Sequence, residues 1–454
     1  MKRHIILTAL TVLGIVLTNH SQVLKDGTID TGDAYANAKL QQYESPDIIK
    51  KRLAWWEDAR FGMFIHWGLY AHDGCHWNGQ YGRSEHMMLK LKIPISEYEK
   101  IADAFNPEKF NADEWVRIAK QAGMKYMVIT AKHHDGYAMF NSPSNDYNIV
   151  ERSKWKRDPV KELAEVCERQ GLKFGVYYSL GRDWHDPNCN SIGGRRSNLW
   201  DYPNEEEKVL EKYIEGKVKP QLGELMTQYN PAIVWFDTPE HVTKTQSLEL
   251  LKLIHDINPE CIVNQRVGNR LGDYAVREQK IPESGEPDPW ESCMTLNHTW
   301  GYNKIDREYK SVETLIYNLT DIASKGGNFL LNVGPTGEGI IPDLSVDRLE
   351  GMGNWLAING EAIYGTTVSH LKDFKYGKST KRETKDSTVL YLTIFEWPKD
   401  GVMTIDEHLD IKGLSMLVSP DYEIKYQNEG ETTTFFLPDV GQDPIATVLK
   451  ITLN

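Results

Sequence analysis

Short apolar runs alternate with amphipathic stretches along most of the chain. Strand-like runs fall at 61–67, 125–131, 173–178, 232–236, 261–265, 293–296 and 328–333. Helix-period patterns lie between them at 113–122, 159–170, 205–229, 247–257 and 312–324. Strands alternating with helices imply parallel βα units. Seven or eight such units predict an α/β fold, a (β/α)8-type barrel. No Gly-x-Gly-x-x-Gly follows the first strand, which weakens an open dinucleotide-binding sheet. Past Gly365 the helical period stops. Alternating runs at 389–394, 414–418, 432–437 and 446–452 are separated by Asp, Gly, Pro and Asn, and they predict a C-terminal antiparallel β-sandwich. The expected division is a barrel over 23–366 and a sandwich over 367–454.

The N-terminus has basic Lys2-Arg3, then apolar residues 5–17, then polar residues. This is the form of a secretory signal peptide, taken as 1–22, and it is too short to span a bilayer. No Ala-x-Ala triplet follows, and no cysteine near position 20 supports a lipid anchor. The expected location is exported, periplasmic or secreted, with no membrane insertion after cleavage. A net charge of −13 without a basic run argues against a nucleic-acid partner. Five scattered cysteines without Cys-x-x-Cys spacing exclude a zinc ribbon, leaving one bridge or free buried thiols. The 13 Trp and 22 Tyr suit stacking on sugar faces, although core packing accounts for most of them.

Three of the apolar runs end in reactive side chains. Phe64-Ile65 leads to His66, the 125–131 run to His133-His134-Asp135, and Ile233-Val-Trp-Phe to Asp237. In a parallel α/β sheet such ends converge on one face, where a ligand meets them all. Asp237 there suits attack on an anomeric carbon; the plainer reading is a helix cap. A retaining glycosidase needs a second, protonated carboxyl group, and Glu278, Glu283, Glu286 and Glu291 are the candidates. Histidines at strand ends also suit a metallohydrolase, but no His-x-His pair or His-Glu-x-x-His helix is present. Adjacent strand residues point to opposite faces. His133 and His134 therefore share a ligand only where the strand is ending.

Several motifs carry a specific resemblance. They are Arg60-Phe-Gly-Met-Phe-Ile-His-Trp-Gly-Leu-Tyr70, Thr130-Ala-Lys-His-His-Asp-Gly-Tyr137, Gly175-Val-Tyr-Tyr-Ser179, Val234-Trp-Phe-Asp237, Trp290-Glu291, Thr299-Trp-Gly-Tyr302, Gly326-Gly-Asn-Phe-Leu-Leu-Asn-Val-Gly-Pro335 and Ile358-Asn-Gly-Glu-Ala-Ile-Tyr364. In this order they resemble glycoside hydrolase family 29, the α-L-fucosidases. The resemblance implies a barrel with a β-sandwich and a retaining mechanism that uses no metal or cofactor. By position, Asp237 would be the nucleophile. His66, His133, His134, Tyr178 and Arg266 would hold fucose hydroxyls, Glu85 would contact the ring hydroxyls, and Trp300 would face the sugar's apolar side. The segment Gly272-Asp-Tyr-Ala-Val-Arg-Glu278-Gln resembles the one that supplies the acid/base, with Glu291 as the rival.

Three features depart from the family's form. Thr238-Pro239 follows the nucleophile position where Gly is usual, His86 stands where Trp is usual, and 71–84 is divergent. They bear on which sugar is bound. L-galactose is L-fucose with a hydroxyl on C6, and a polar wall around His86 would admit it. The leading expectation is an exo-acting retaining α-L-fucosidase on terminally fucosylated oligosaccharide or polysaccharide. An α-L-galactosidase or a catalytically inactive carbohydrate-binding relative are the alternatives.

Overall fold

The computed structural model describes residues 39–191, 194–371, 373–439 and 441–454. The signal-peptide expectation for 1–22 lies outside them.

Eight parallel strands form one sheet: β1 (Phe61–Ile65), β2 (Tyr126–Lys132), β3 (Lys173–Ser179), β4 (Ile233–Asp237), β5 (Ile262–Val263), β6 (Ala275–Glu278), β7 (Trp290–Thr295) and β8 (Asn328–Val333). Their order is β5-β4-β3-β2-β1-β8-β7-β6. The two end strands meet through one parallel bridge between Asn264 and Tyr274. There Gln265 N–H donates to the Tyr274 carbonyl at 2.8 Å, and Asp273 N–H donates to Val263 at 2.7 Å. The sheet therefore curls into the expected barrel, with a narrow seam.

Side chains alternate across the wall. Phe64, Val128, Tyr177, Trp235, Val276 and Leu330 fill the interior. Met63, Ile129, Val176, Tyr178, Val234 and Phe236 pack outward under the helices. Both faces are buried, which is why these strands read as continuous apolar runs. Helix Pro46–Ala59 closes the amino end of the barrel, where Trp56 packs on Tyr274 with ring centroids 4.5 Å apart.

The structure departs from the sequence pattern in three places. Strand β6 arises in a segment where the pattern predicts no element; its charged Arg277, unlike a surface residue, is buried and neutralised by Glu286 at 2.7 Å. Strand β5 is two residues long rather than spanning 261–265. Beyond it the Asn264 side-chain amide replaces backbone pairing, bonding both Phe236 N–H and Phe236 C=O at 2.9 Å. The chain then turns through Gln265–Val267 and presents Arg266 to the cavity. The 205–229 segment is a helix from Leu210 with a widened π turn at Ile214–Val218. That turn precedes Pro220, whose ring disfavours an ordinary helix interior.

The C-terminal part contains β9 (Thr367–Val368), β10 (Gly377–Glu383), β11 (Thr388–Ile394), β12 (Val402–Ile405), β13 (Ile411–Met416), β14 (Lys425–Glu429), β15 (Thr432–Phe436) and β16 (Thr447–Leu453). They form antiparallel sheets of order β9-β10-β11-β16-β13 and β12-β15-β14. Leu390, Leu392 and Ile394 face Met403, Ile405 and Phe435 of the second sheet. Val389, Tyr391 and Val448 face the barrel's helical layer. Trp355 Nε1 donates to the Ala446 carbonyl at 3.0 Å across that junction. Among the described residues no helix is long and apolar enough to cross a membrane.

Candidate active site

A cavity of 640 Å³ opens at the carboxyl ends of the strands. Its walls follow from where each strand stops. His66 comes just after β1, His133 and His134 just after β2, and Asp237 and Glu278 are the last residues of β4 and β6. Phe64, Tyr177 and Trp235 line the cavity from the barrel interior, and Trp300 and His86 from loops.

Asp237 is gripped from several sides. Tyr177 Oη donates to its Oδ2 at 2.8 Å, and Thr238 N–H donates to Oδ1 at 2.9 Å. Arg266 Nη1 donates to Oδ1 at 2.7 Å, and Arg266 Nη2 donates to Glu278 Oε2 at 2.8 Å. One guanidinium thus joins two carboxylates. Burial raises the Asp237 pKa, but the charges of Arg266 and Arg182 and the Tyr177 hydrogen bond outweigh burial and hold it at about 2. Asp237 is therefore an ionised carboxylate at neutral pH. The Glu278 side chain is more open, 38% exposed against 14% for Asp237.

The three histidines are neutral, and hydrogen bonds fix the polarity of His66 and His134. Burial pushes His66 below the usual imidazole range, and His133 and His134 well below it. Asn332 Nδ2 donates to the Trp300 carbonyl at 2.7 Å, so its Oδ1 accepts from His66 Nδ1 at 2.7 Å. That leaves His66 Nε2 as an acceptor. Ser179 gives its only hydroxyl proton to the Arg182 carbonyl, so it accepts from His134 Nδ1 at 2.6 Å. Both β2 histidines enter the cavity because the ladder with β3 shifts register after Thr130. Their rings lie 4.1 Å apart, and His133 stacks on Tyr177 at 5.1 Å. Asp135 turns away from the cavity and accepts from Tyr98 Oη at 3.0 Å.

Glu85 and His86 form the opposite wall, with His86 Nδ1 2.9 Å from Glu85 Oε1. Burial opposes ionisation of Glu85, but the hydrogen bond and the field of His86 outweigh burial and hold its carboxyl far below the usual range. Left-handed Arg83 and Ser84 lead into it, a costly conformation for residues other than glycine. Trp300 packs against His66 with centroids 5.0 Å apart.

Two expected residues lie elsewhere. Tyr178 faces outward and donates to Gln221 Oε1 at 2.7 Å, whereas its neighbour Tyr177 reaches the cavity. Alternation along β3 allows only one of the pair inside. Glu291 is fully buried beneath the cavity floor. It accepts from Trp235 Nε1 at 2.9 Å and Tyr126 Oη at 2.7 Å. Burial raises its pKa to about 7 against those two hydrogen bonds. A carboxyl raised in this way resembles a general acid, but geometry decides otherwise, since Glu291 does not line the cavity.

Sequence reasoning missed Tyr177, Arg182, Trp235 and Glu240, all of which line the cavity. Buried Arg182 pairs with Glu240 and points Nη1 at His134 Nε2, 3.3 Å away. Arg182 and Glu240 follow β3 and β4 closely, so the same strand-end rule would have found them. Among the described residues no group of three or more His, Cys, Asp or Glu is arranged to hold a metal ion. All five cysteines are free and buried.

Carboxylates paired over a sugar-sized pocket are what cleavage of a glycosidic bond requires. The fold and the site together define a glycoside hydrolase. The sequence profile of the α-L-fucosidase family matches residues 32–361, and the chain belongs to that family. An α-L-fucosidase of Dictyostelium discoideum is 31% identical over 402 residues, covering 81% of this chain and 84% of that one. The crystal structure of α-L-fucosidase from Vibrio sp. strain EJY3 is 34% identical with a TM-score of 0.83, covering 89% of this chain and 73% of that one. An α-L-fucosidase from Lactobacillus casei, in complex with α-L-fucose product, is 35% identical with a TM-score of 0.65, covering 68% and 99%.

Proposed function

We propose that the protein is a retaining exo-α-L-fucosidase that removes terminal α-L-fucosyl residues from glycans or polysaccharides by double displacement. The observation that carries this reading is the Arg266 bridge, 2.7 Å to Asp237 and 2.8 Å to Glu278. Carboxylates that share one guanidinium can reach the same glycosidic bond, one as nucleophile and the other as acid/base, as a retaining mechanism requires. Asp237, ionised at neutral pH, attacks the anomeric carbon as Glu278 gives its proton to the departing glycosidic oxygen. A β-linked fucosyl ester of Asp237 results. Water then attacks the same carbon, Glu278 takes the water's proton, and Asp237 leaves. Two inversions return the α-anomer.

Around that chemistry, His66, His133 and His134 accept or donate to ring hydroxyls, and Trp235 and Trp300 meet apolar sugar edges. The product complex of the Lactobacillus casei relative supports fucose as the sugar. The basic Lys2-Arg3 followed by an apolar stretch supports export to the periplasm or medium.

Proton NMR during hydrolysis of 4-nitrophenyl α-L-fucoside, run beside the α-L-galactoside, tests the reading. α-L-fucose should appear first, with the L-galactoside slower and EDTA without effect. β-fucose appearing first would make the enzyme inverting. Turnover of the L-galactoside alone would assign the other sugar, and turnover of neither would leave a binding protein.

A further inference from the structure

We propose that the sugar attached to the departing oxygen carries an anionic substituent, a sulfate ester or a carboxylate, held by a cationic wall of Lys90, Arg195 and Arg196 at the cavity rim. This rests on the fucosidase reading of the same pocket. L-fucose has no ionisable group, so its own subsite needs only the cations that manage Asp237 and Glu278, and Arg266 and Arg182 fill that role. Yet six Lys or Arg side chains line the cavity against four carboxylates, in a chain of net charge −13. The carboxylates are already engaged. Glu85 pairs with His86, Asp237 and Glu278 with Arg266, and Glu240 with both Arg182 and Arg196. Lys90 and Arg195 have no hydrogen-bonding or ion-pair partner among the described residues.

These cations share one wall. Lys90 sits a turn beyond His86, on a short helix anchored by buried Met87 and Met88. The His86 ring packs 5.8 Å from Trp184, whose Nε1 donates to the Arg196 carbonyl at 2.8 Å. Arg196 N–H also donates to Ser191 Oγ at 3.0 Å, so the loop presenting both arginines is pinned. Lys90, Arg195 and Arg196 are exposed, whereas His66, His133 and His134 are buried deeper in the cavity. The cationic wall therefore meets the sugar outside the fucose subsite. A local positive wall on an acidic protein also offsets long-range repulsion of an anionic polymer.

The test compares kcat/KM on three fucosyl disaccharides: a neutral one, its sulfated counterpart, and one with a uronic acid as the second sugar. The enzymes are wild type and the double variant Lys90→Gln/Arg195→Gln, at low and high NaCl. Wild type should favour at least one anionic substrate roughly ten-fold at low salt, the scale of two exposed charge contacts. High salt or the double variant should bring the ratio close to one, with the neutral substrate changed less than about two-fold. Which anionic substrate gains distinguishes sulfate from carboxylate. No anionic preference at low salt, or equal losses on charged and neutral substrates, overturns the proposal and leaves the fucosidase reading intact. Failure on all three substrates and on 4-nitrophenyl α-L-fucoside overturns both.

Discussion

Trp235 Nε1 donates to Glu291 Oε1 at 2.9 Å, so the indole that floors the sugar pocket also roofs the buried glutamate below it. Glu291 can steady that floor, but it cannot reach a glycosidic oxygen above the ring. Glu278 is the carboxyl group left to act as acid. Glu278→Ala should cost far more on a fucosyl disaccharide than on an aryl fucoside with an acidic phenol, because a good leaving group needs no proton. The alkaline limb of the kcat/KM profile should vanish with it. Glu291→Gln should keep both the limb and the wild-type leaving-group response. The reverse pattern would exchange their roles.

Glu291 also carries a pH signature in stability. Its folded-state pKa is raised to about 7 by burial, above the ~4.3 of an unfolded Glu. Its contribution is thus fully present below that unfolded value and lost as pH rises through 7. The thermal midpoint of Glu291→Gln relative to wild type should therefore climb between pH ~4.5 and ~7.5, by an equivalent of up to about 3 kcal/mol. A gap that does not move with pH would mean the group is already ionised in that range.

The adjacent tyrosines of β3 should separate cleanly. Tyr177→Phe removes the 2.8 Å hydrogen bond to Asp237. Hydrogen bonds to charged groups contribute about 1.5–3 kcal/mol, so kcat/KM should fall roughly ten- to hundred-fold. Tyr178→Phe breaks the outward bond to Gln221. It should lower stability by about 1–3 kcal/mol and leave turnover near wild type. Equal activity losses in the two variants would contradict the placement.

Thr238, beside Asp237, adopts a left-handed backbone with φ 49°. A β-branched residue is strained there and glycine is not. Thr238→Gly should raise the thermal midpoint, with a gain of about 1 kcal/mol, and keep turnover if the Thr238 N–H still bonds Asp237 Oδ1. A lower midpoint would mean that the threonine side chain contributes packing that outweighs the strain.

Much of this arrangement was legible in the chain. Strands β1 to β4 and β8 are buried on both faces, so each stands out as an apolar run ending in polar chemistry. His66, His133, His134, Asp237 and Glu278 meet in one pocket because strand ends converge. Other features were hidden for local reasons. Strand β6 carries Arg277, which reads as surface until Glu286 is seen to bury with it. Tyr177 and Tyr178 differ only in parity, and parity depends on a register that adjacent identical residues do not reveal. Glu291 lies two residues before Cys293, which lines the cavity, and that single pleat removes it from the site.

The most direct measurement is covalent trapping with 2-deoxy-2-fluoro-α-L-fucosyl fluoride, which forms a glycosyl ester quickly and loses it slowly. Mass spectrometry of the intact protein should show one added 2-fluorofucosyl group, and peptide mapping should place it on Asp237. Asp237→Ala should remain folded and unlabelled. A label on any other carboxylate, or full turnover of an aryl fucoside by purified Asp237→Ala, would contradict the double-displacement mechanism through Asp237.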